Sequence, residues 1–120
     1  MAVIQLRETT LADEIYKVAT QEGKSADDVL ADAARQYLAA YRQKRIKADT
    51  DAWYRMPAEI RQQYKGQFVA IYQGKIVDSD LDRMTLYFRI RERFGREPVV
   101  ILEGGDQPMP VYYVHSVRQA

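Results

Sequence analysis

Residues 67–78 read QFVAIYQGKIVD, and this stretch decides the fold of the C-terminal half of the chain. A run rich in β-branched and aromatic residues is followed by Gln73-Gly74, a plausible tight turn, and then by a second apolar run. Two such runs separated by two turn residues predict a β-hairpin. We therefore expect a small α+β module to be built around residues 67–78.

The elements after the hairpin complete the predicted module. Ser79 and Asp82 have capping-box spacing at the head of a helical pattern. The further predicted elements are a helix ending at Gly95, a buried strand at 98–103, a loop at 104–110 and a last strand at 111–117. The order is ββαββ. The apolar set expected in its core is Phe68, Val69, Ile71, Leu81, Phe88, Val99 and Ile101.

The beginning of the chain predicts a short strand. Residues 3–8 read VIQLRE, in which Ile4 and Leu6 share one side of a strand. The other side carries Val3, Gln5 and Arg7. A single strand leaves its backbone groups unpaired, so a second copy of the chain is the economical partner.

Two helices are predicted after this strand. Residues 10–22 carry apolar side chains at helical spacing, with Thr10 and Asp13 at capping-box spacing and Gly23 as the stop. Ser25 opens the second helix, whose apolar stripe ends near Tyr41. The predicted fold is thus α+β, with a βαα unit followed by the ββαββ module. The predicted domains are 1–46, a connector with a short helix after Pro57 at 47–63, and 64–120.

Composition excludes several classes of protein. The chain of 120 residues has no cysteine, which excludes disulfide frameworks, thiol nucleophiles and cysteine-ligated metal sites. One histidine, His115, has no recognisable acid–base partners around it, so we expect no enzyme, no cofactor and no metal site. Lys and Arg number 18 and Asp and Glu 17, so a wholesale basic coat is absent. No apolar run is long enough to span a bilayer and no signal peptide is visible, so the expected location is the cytoplasm, with no membrane contact.

Residues 2–45 resemble the ribbon-helix-helix family, the Arc, MetJ and CopG-like repressors and antitoxins. The resemblance is carried by the strand VIQLR, the turn Gly23-Lys24-Ser25 and the helix ADDVLADAARQYL. It implies a homodimer, with a dimer of dimers as an alternative, that binds double-stranded DNA as a transcriptional regulator. A place in a toxin–antitoxin pair, with a toxin or other protein partner on the C-terminal domain, is one setting that the resemblance allows.

The resemblance also implies which residues touch DNA. Val3, Gln5 and Arg7 are the expected base contacts, because Arg binds guanine and Gln binds adenine with two hydrogen bonds each. Lys24, Ser25 and Ala26, at the start of the second helix, are the expected phosphate contacts. The alternative is a protein-interaction or scaffold module in which the ribbon serves dimerisation alone.

The sequence also contains two clusters of basic residues and one hairpin motif. The run at residues 42–47 could extend phosphate contact, although a solvated helix end is the commoner explanation. The helical triplet Arg89, Arg93 and Arg96 could dock an acidic partner, although a solvated face is the commoner explanation. The motif Tyr-x-Gly-x-x-Val-Ala-Ile-x-x-Gly at 64–74 resembles a family of small domains of unknown function. That resemblance implies a fold and no activity.

Overall fold

The computed structural model describes residues 4–110. Its elements are α1 (Thr9–Glu22), α2 (Ala26–Arg55), α3 (Ala58–Gln62), β1 (Phe68–Tyr72), β2 (Lys75–Asp80), α4 (Arg83–Phe94) and β3 (Val100–Glu103). The chain divides into two compact units, Met1–Tyr41 and Arg42–Ala120. Val3, His115 and the strand predicted at 111–117 lie outside the described residues.

The first unit consists of α1 and the start of α2, joined by a tight turn. Gly23 has φ 70°, a left-handed conformation that glycine adopts without strain, and it ends α1 as predicted. The backbone N–H of Asp28 donates to Ser25 Oγ at 3.0 Å, so Ser25 caps α2 as predicted. The predicted Thr10–Asp13 capping box is wrong, because α1 begins one residue earlier with Glu8 at its cap and no side-chain hydrogen bond there.

The predicted N-terminal ribbon is wrong. Residues 4–8 belong to no strand, and the described part of the chain begins with helices that are followed by a three-stranded antiparallel sheet. Glu8 has extended dihedral angles, but a strand also needs a paired neighbour for its backbone groups. The alternating side chains at 3–8 are compatible with a strand and do not supply that neighbour. The fold class of βαα followed by ββαββ, and with it the assignment to the ribbon-helix-helix family, is therefore incorrect.

Helix α2 runs on without a break to Arg55, through residues that the sequence analysis expected to be a connector. Its C-terminal half buries Asp49 and Trp53, which are one turn apart. Two ion pairs between residues four apart also lie here, Arg45 with Asp49 and Lys47 with Asp51. The polar run at 42–51 is therefore helical, because part of it faces the interior of the second unit.

The sheet of the second unit has the order β2-β1-β3. Its hairpin turns at Gln73-Gly74, with φ 50° and 78°, the positive values that a two-residue hairpin turn requires. β1 is central and antiparallel to both neighbours, with Tyr72 opposite Lys75 in one pair and Phe68 opposite Glu103 in the other. The predicted hairpin is confirmed.

Helix α4 returns the chain from β2 to β3. Asp82 accepts a hydrogen bond from the backbone N–H of Thr85 at 3.0 Å and caps the helix. The helix therefore begins at Arg83 and ends at Phe94, with Gly95 as its C-cap, whereas the predicted N-cap, Ser79, belongs to β2. The predicted core positions Leu81 and Phe88 are 76% and 63% exposed, because Leu86 and Ile90 occupy the buried face.

Two apolar clusters form the core of the second unit, one on each face of the sheet. Trp53 of α2 is fully buried against Val69 and Ile71. On the other face, Ala70 packs with Leu86 and Ile90 of α4. The alternation of β1 thus sends successive side chains into two different clusters, which explains why its sequence is apolar throughout.

Candidate functional site

The first unit exposes most of its large apolar side chains. Within residues 4–41, Ala19 is the only buried residue, at 2% exposure. We call the following exposed residues the N-terminal apolar surface: Ile4, Leu6, Leu11, Tyr16, Val18, Tyr37, Leu38 and Tyr41. Large apolar side chains that are exposed in this number on one small unit favour an interaction site.

Part of this surface lines a groove of about 370 Å³ within the first unit. Its walls are residues 4–7, one side of α1 and the first turns of α2. Arg7 and Asp27 stand among the apolar lining residues, so the groove carries one charge of each sign. A surface that carries one positive and one negative charge can pair with a second copy of itself. In a dimer with a two-fold axis, the cation of each copy can lie against the anion of the other.

The remaining part is a face of α2. Leu30, Ala34, Tyr37, Leu38 and Tyr41 recur at spacings of three and four residues and therefore share one side of the helix. Tyr37 is 73% exposed, and Leu38 and Tyr41 are each 48% exposed. A helix face of this composition is typical of helix–helix packing and finds no such partner among the described residues of the first unit.

Opposite this face, α2 is polar. Asp32 and Arg35 form an ion pair at 2.7 Å, and their side chains are 51% and 73% exposed. A solvated pair of this kind contributes little stability. Its position shows that the helix has one side suited to water and another suited to a partner.

The predicted base contacts are only in part described. Gln5 and Arg7 are exposed and line the groove, while Val3 lies outside the described residues. Gln5 and Arg7 are not held in a paired strand, so their alternation on a ribbon is absent. Base contact by these residues stays a prediction.

The predicted phosphate contacts lie together at the start of α2. Ser25 Oγ already accepts the Asp28 N–H, and Ala26 is half-buried. Lys24 Nζ lies 3.9 Å from a Glu22 carboxylate oxygen and 4.0 Å from one of Asp32. The lysine is therefore shared between two carboxylates, and a phosphate would have to compete with them. Phosphate contact also stays a prediction.

Arg89 and Arg93 of the predicted triplet have partners inside the second unit. The Arg89 guanidinium donates to both oxygens of Asp78 and to Asp80 Oδ2 at 2.7–3.0 Å. These hydrogen bonds lower the pKa of Asp78, while the backbone N–H of Asp82 and then Arg89 lower the pKa of Asp80. The same bonds raise the pKa of Arg89. Arg93 donates to the Val77 carbonyl at 3.2 Å.

Two residues of the basic run at 42–47 also form ion pairs within the second unit. Arg45 lies 3.6 Å from Asp49, and Lys47 donates to Asp51 at 3.1 Å. These cations support the helix rather than form a free basic stripe. Arg42 and Lys44 make no ion pair within the described part of the chain.

Among residues 4–110, no group of three or more His, Asp or Glu side chains is placed to hold a metal ion. None of the helices described combines the length and apolar character needed to cross a bilayer.

Comparison with known proteins gives one similarity. Residues 59–102 match a family of unknown function, DUF5678, and the match contains the hairpin motif at 64–74. It covers the stretch from α3 to β3 of the second unit and none of the first. No curated protein matches the chain. No solved structure matches it either.

Sequence reasoning missed two features of the candidate surface. Tyr16 falls outside the apolar stripe predicted for α1, yet it is 64% exposed and lines the groove. The folding-back of residues 4–7 along α1 and α2 also has no local signal, because it depends on contacts between distant segments. The apolar residues Ile4 and Leu6 are the sequence feature that could have indicated a packing role for this segment.

Proposed function

We propose that this protein is a protein-interaction module that associates with a second copy of itself through the N-terminal apolar surface. The observation that carries the proposal is the imbalance within residues 4–41, which have one buried residue and eight exposed large apolar ones. Units of about 40 residues rarely bury enough surface to be stable unless they oligomerise or carry disulfides or metals. The chain has no cysteine, so a disulfide is not available.

The exposed area is of the right order for such an interface. Tyr16, Tyr37 and Tyr41 are 64%, 73% and 48% exposed. An aromatic side chain buries about 150–250 Å², so these three alone present about 300 Å². A standard interface buries about 800 Å² per partner. The five aliphatic residues of the N-terminal apolar surface add further exposed area to that of the three tyrosines.

A second copy is the occupant that the charges favour. The groove holds Arg7 and Asp27, one charge of each sign. A strongly charged partner, such as an acidic peptide, would find little complementary charge here, whereas a copy related by a two-fold axis would present matching pairs.

The test is the molar mass in solution of the full chain and of two variants. Tyr37→Glu places a charge in the middle of the α2 face and should shift the mass, measured by light scattering at micromolar concentration, from twice 13.9 kDa to 13.9 kDa. Gln36→Glu adds the same charge on the opposite side of α2 and should leave the dimer intact. A wild-type monomer at high concentration, or equal loss of the dimer in both variants, would refute the proposal.

Double-stranded DNA binding stays a prediction from the sequence. A salt-dependent gel shift with the same samples tests it, since backbone-driven binding weakens steeply with salt. Arg7→Ala is the informative variant. If the interaction-module proposal is right and the DNA prediction is wrong, the protein will be dimeric and will not retard duplex DNA.

A further inference from the structure

A second cavity lies within the C-terminal unit and has a different chemistry from the N-terminal surface. Its volume is about 370 Å³, within the range of small-molecule sites. It lies between the part of α2 that follows Tyr41, the end of α4, the loop from Gly95 to Val99, and β3. Four separate segments of one compact unit therefore converge on it.

Three arginine residues line this cavity. Arg42 comes from α2, Arg91 from α4 and Arg96 from the loop that follows. None of the three makes an ion pair with any residue in the described range 4–110, whereas Arg89, two residues before Arg91, is bound to two aspartates. Arginines that line one cavity and have no carboxylate partner have unused capacity to bind an anion.

The single carboxylate at the cavity is already engaged. Glu97 Oε1 accepts a hydrogen bond from the Tyr72 hydroxyl at 3.0 Å. Three guanidiniums and one carboxylate leave a net charge of +2 at the lining. A phosphate monoester carries about −1.5 to −2 at neutral pH and matches this charge more closely than a single carboxylate does.

The floor of the cavity is apolar. Ile90 is 5% exposed, and Ile46, Val99 and Ile101 are half-buried beside it. Tyr87 adds an aromatic ring, with the Arg91 guanidinium 5.9 Å from its centroid. An inorganic ion would leave this floor exposed to water, whereas a ligand with a flat apolar body would cover it.

We propose that this cavity binds a small organic phosphate, in which a phosphate monoester is attached to a flat apolar group. The phosphate lies among Arg42, Arg91 and Arg96, and the apolar group lies on the isoleucine and valine floor beside Tyr87. The proposal concerns residues of the second unit only and does not depend on self-association of the first.

Calorimetric titration of the full chain at low ionic strength tests this. Naphthyl phosphate is the probe, with inorganic phosphate and naphthol as its two separated parts. We expect naphthyl phosphate to bind at least about tenfold more tightly than either part, because each part uses only one half of the cavity. Undetectable binding of naphthyl phosphate at millimolar concentration, or equal binding of inorganic phosphate, would overturn the proposal.

Matched variants locate the site. Arg96→Gln and Arg42→Gln should each weaken naphthyl phosphate binding about tenfold, because each removes a charge-assisted hydrogen bond. Arg83→Gln, at the exposed start of α4 and away from the cavity, should change it less than twofold. These arginines are exposed, and urea unfolding of each variant verifies the fold. Equal loss in Arg83→Gln would show a general charge effect and contradict the assignment.

Backbone amide shifts provide a readout independent of affinity. On titration with naphthyl phosphate, the amides of Gly95, Arg96 and Glu97 and of the end of α4 should shift together. Shifts confined to the first unit would place the ligand elsewhere and refute the site even if the affinity is as expected.

Discussion

The Asp49 carboxylate accepts a hydrogen bond from the backbone N–H of Gly74 at 2.8 Å, so a helix residue fixes a hairpin turn 25 positions later in the chain. Its other oxygen accepts the N–H of Gln73 at 3.1 Å. Asp49 is 2% exposed, and Arg45 approaches it to 3.6 Å. The carboxylate thereby satisfies two backbone N–H groups of the turn and connects α2 to the sheet by hydrogen bonds.

The first prediction concerns this link. Asp49→Ala should lower the free energy of unfolding by about 1–3 kcal/mol, because it removes the acceptor for two amides and leaves Arg45 without its anion. Asp51→Ala is the matched control. Asp51 pairs with Lys47, whose side chain is 78% exposed, so its loss should cost less than about 0.5 kcal/mol. Urea unfolding measures both, and equal effects would contradict the role given to Asp49.

The second prediction concerns pH. The pKa values of Asp78 and Asp80 are lowered in the folded protein, so their contribution to stability is present above the unfolded-state pKa of about 4. It is lost as the pH falls through the lower folded-state values. Arg89→Gln should therefore destabilise the protein near neutral pH, and its difference from wild type should shrink below about pH 4.

The control for the pH experiment is Arg83→Gln, which removes a cation of the same helix without touching either aspartate. Its urea midpoint should follow that of the wild type across the pH series. A difference between Arg89→Gln and wild type that stays constant down to low pH would show that the arginine acts through packing and not through the two carboxylates.

The third prediction concerns Gly104. The residue is buried, and its N–H donates to the Gln67 carbonyl at 2.8 Å. A Cβ atom here would overlap the backbone carbonyl of Tyr64, so the backbone would have to shift. Gly104→Ala should cost at least about 2 kcal/mol. At Gly66 an added Cβ atom would contact nothing, and the cost comes only from the left-handed backbone conformation, which alanine disfavours. We therefore expect Gly66→Ala to lower the free energy of unfolding by about 1 kcal/mol.

Chemical denaturation compares the two glycine variants directly. The order of the two costs is the informative result, since both substitutions add one methyl group. A larger loss in Gly66→Ala than in Gly104→Ala would mean that the contact with Tyr64 relaxes easily.

The fourth prediction concerns Trp53, the only tryptophan. It is fully buried against Val69 and Ile71, so Trp53→Ala should cost about 3–5 kcal/mol. Its indole Nε1 is buried without a hydrogen-bond partner within the described residues. Trp53→Phe removes this unsatisfied group together with some volume, so its cost should be clearly smaller than that of alanine. Thermal unfolding of both variants checks the order; a phenylalanine variant as unstable as alanine would be the contrary outcome.

The features that sequence predicted correctly have local causes. Gly23 ends α1 and Gly95 ends α4, since glycine stops a helix wherever the chain turns away. Gly74 adopts its positive φ without strain, and its place between two apolar runs marks the hairpin turn in the sequence. Each depends on a few neighbouring residues, and such signals are legible without the rest of the chain.

The end of α2 could not be predicted for a physical reason. Tyr41 belongs to the exposed apolar face of its N-terminal half and Ile46 to the buried side of its C-terminal half. Five residues are about 1.4 turns, so the two apolar stripes are out of phase in the helical period. An interruption in the helical spacing of apolar residues is the pattern expected where a helix ends. Only packing of Trp53 on the sheet, a long-range contact, shows that the helix continues.

The two candidate sites differ in the same way. Tyr37, Leu38 and Tyr41 recur at helical spacing, so an apolar face on α2 was predictable from the sequence. The cavity that joins Arg42 to Arg96 was not, because these residues are 54 positions apart and meet only through the fold. The ribbon was wrongly predicted because alternation identifies a compatible side-chain pattern and says nothing about a pairing partner.

The central position of β1 has a consequence for the order of folding events. β1 meets β2 across a two-residue turn, while it meets β3 only after α4 has been traversed, with Phe68 opposite Glu103. Closing the longer loop costs more chain entropy, so we expect the hairpin to form before the third strand joins it. A destabilising change in the turn, such as Gly74→Ala, should slow refolding. Leu102→Ala in β3 should mainly speed unfolding, and stopped-flow chevron plots separate these two effects.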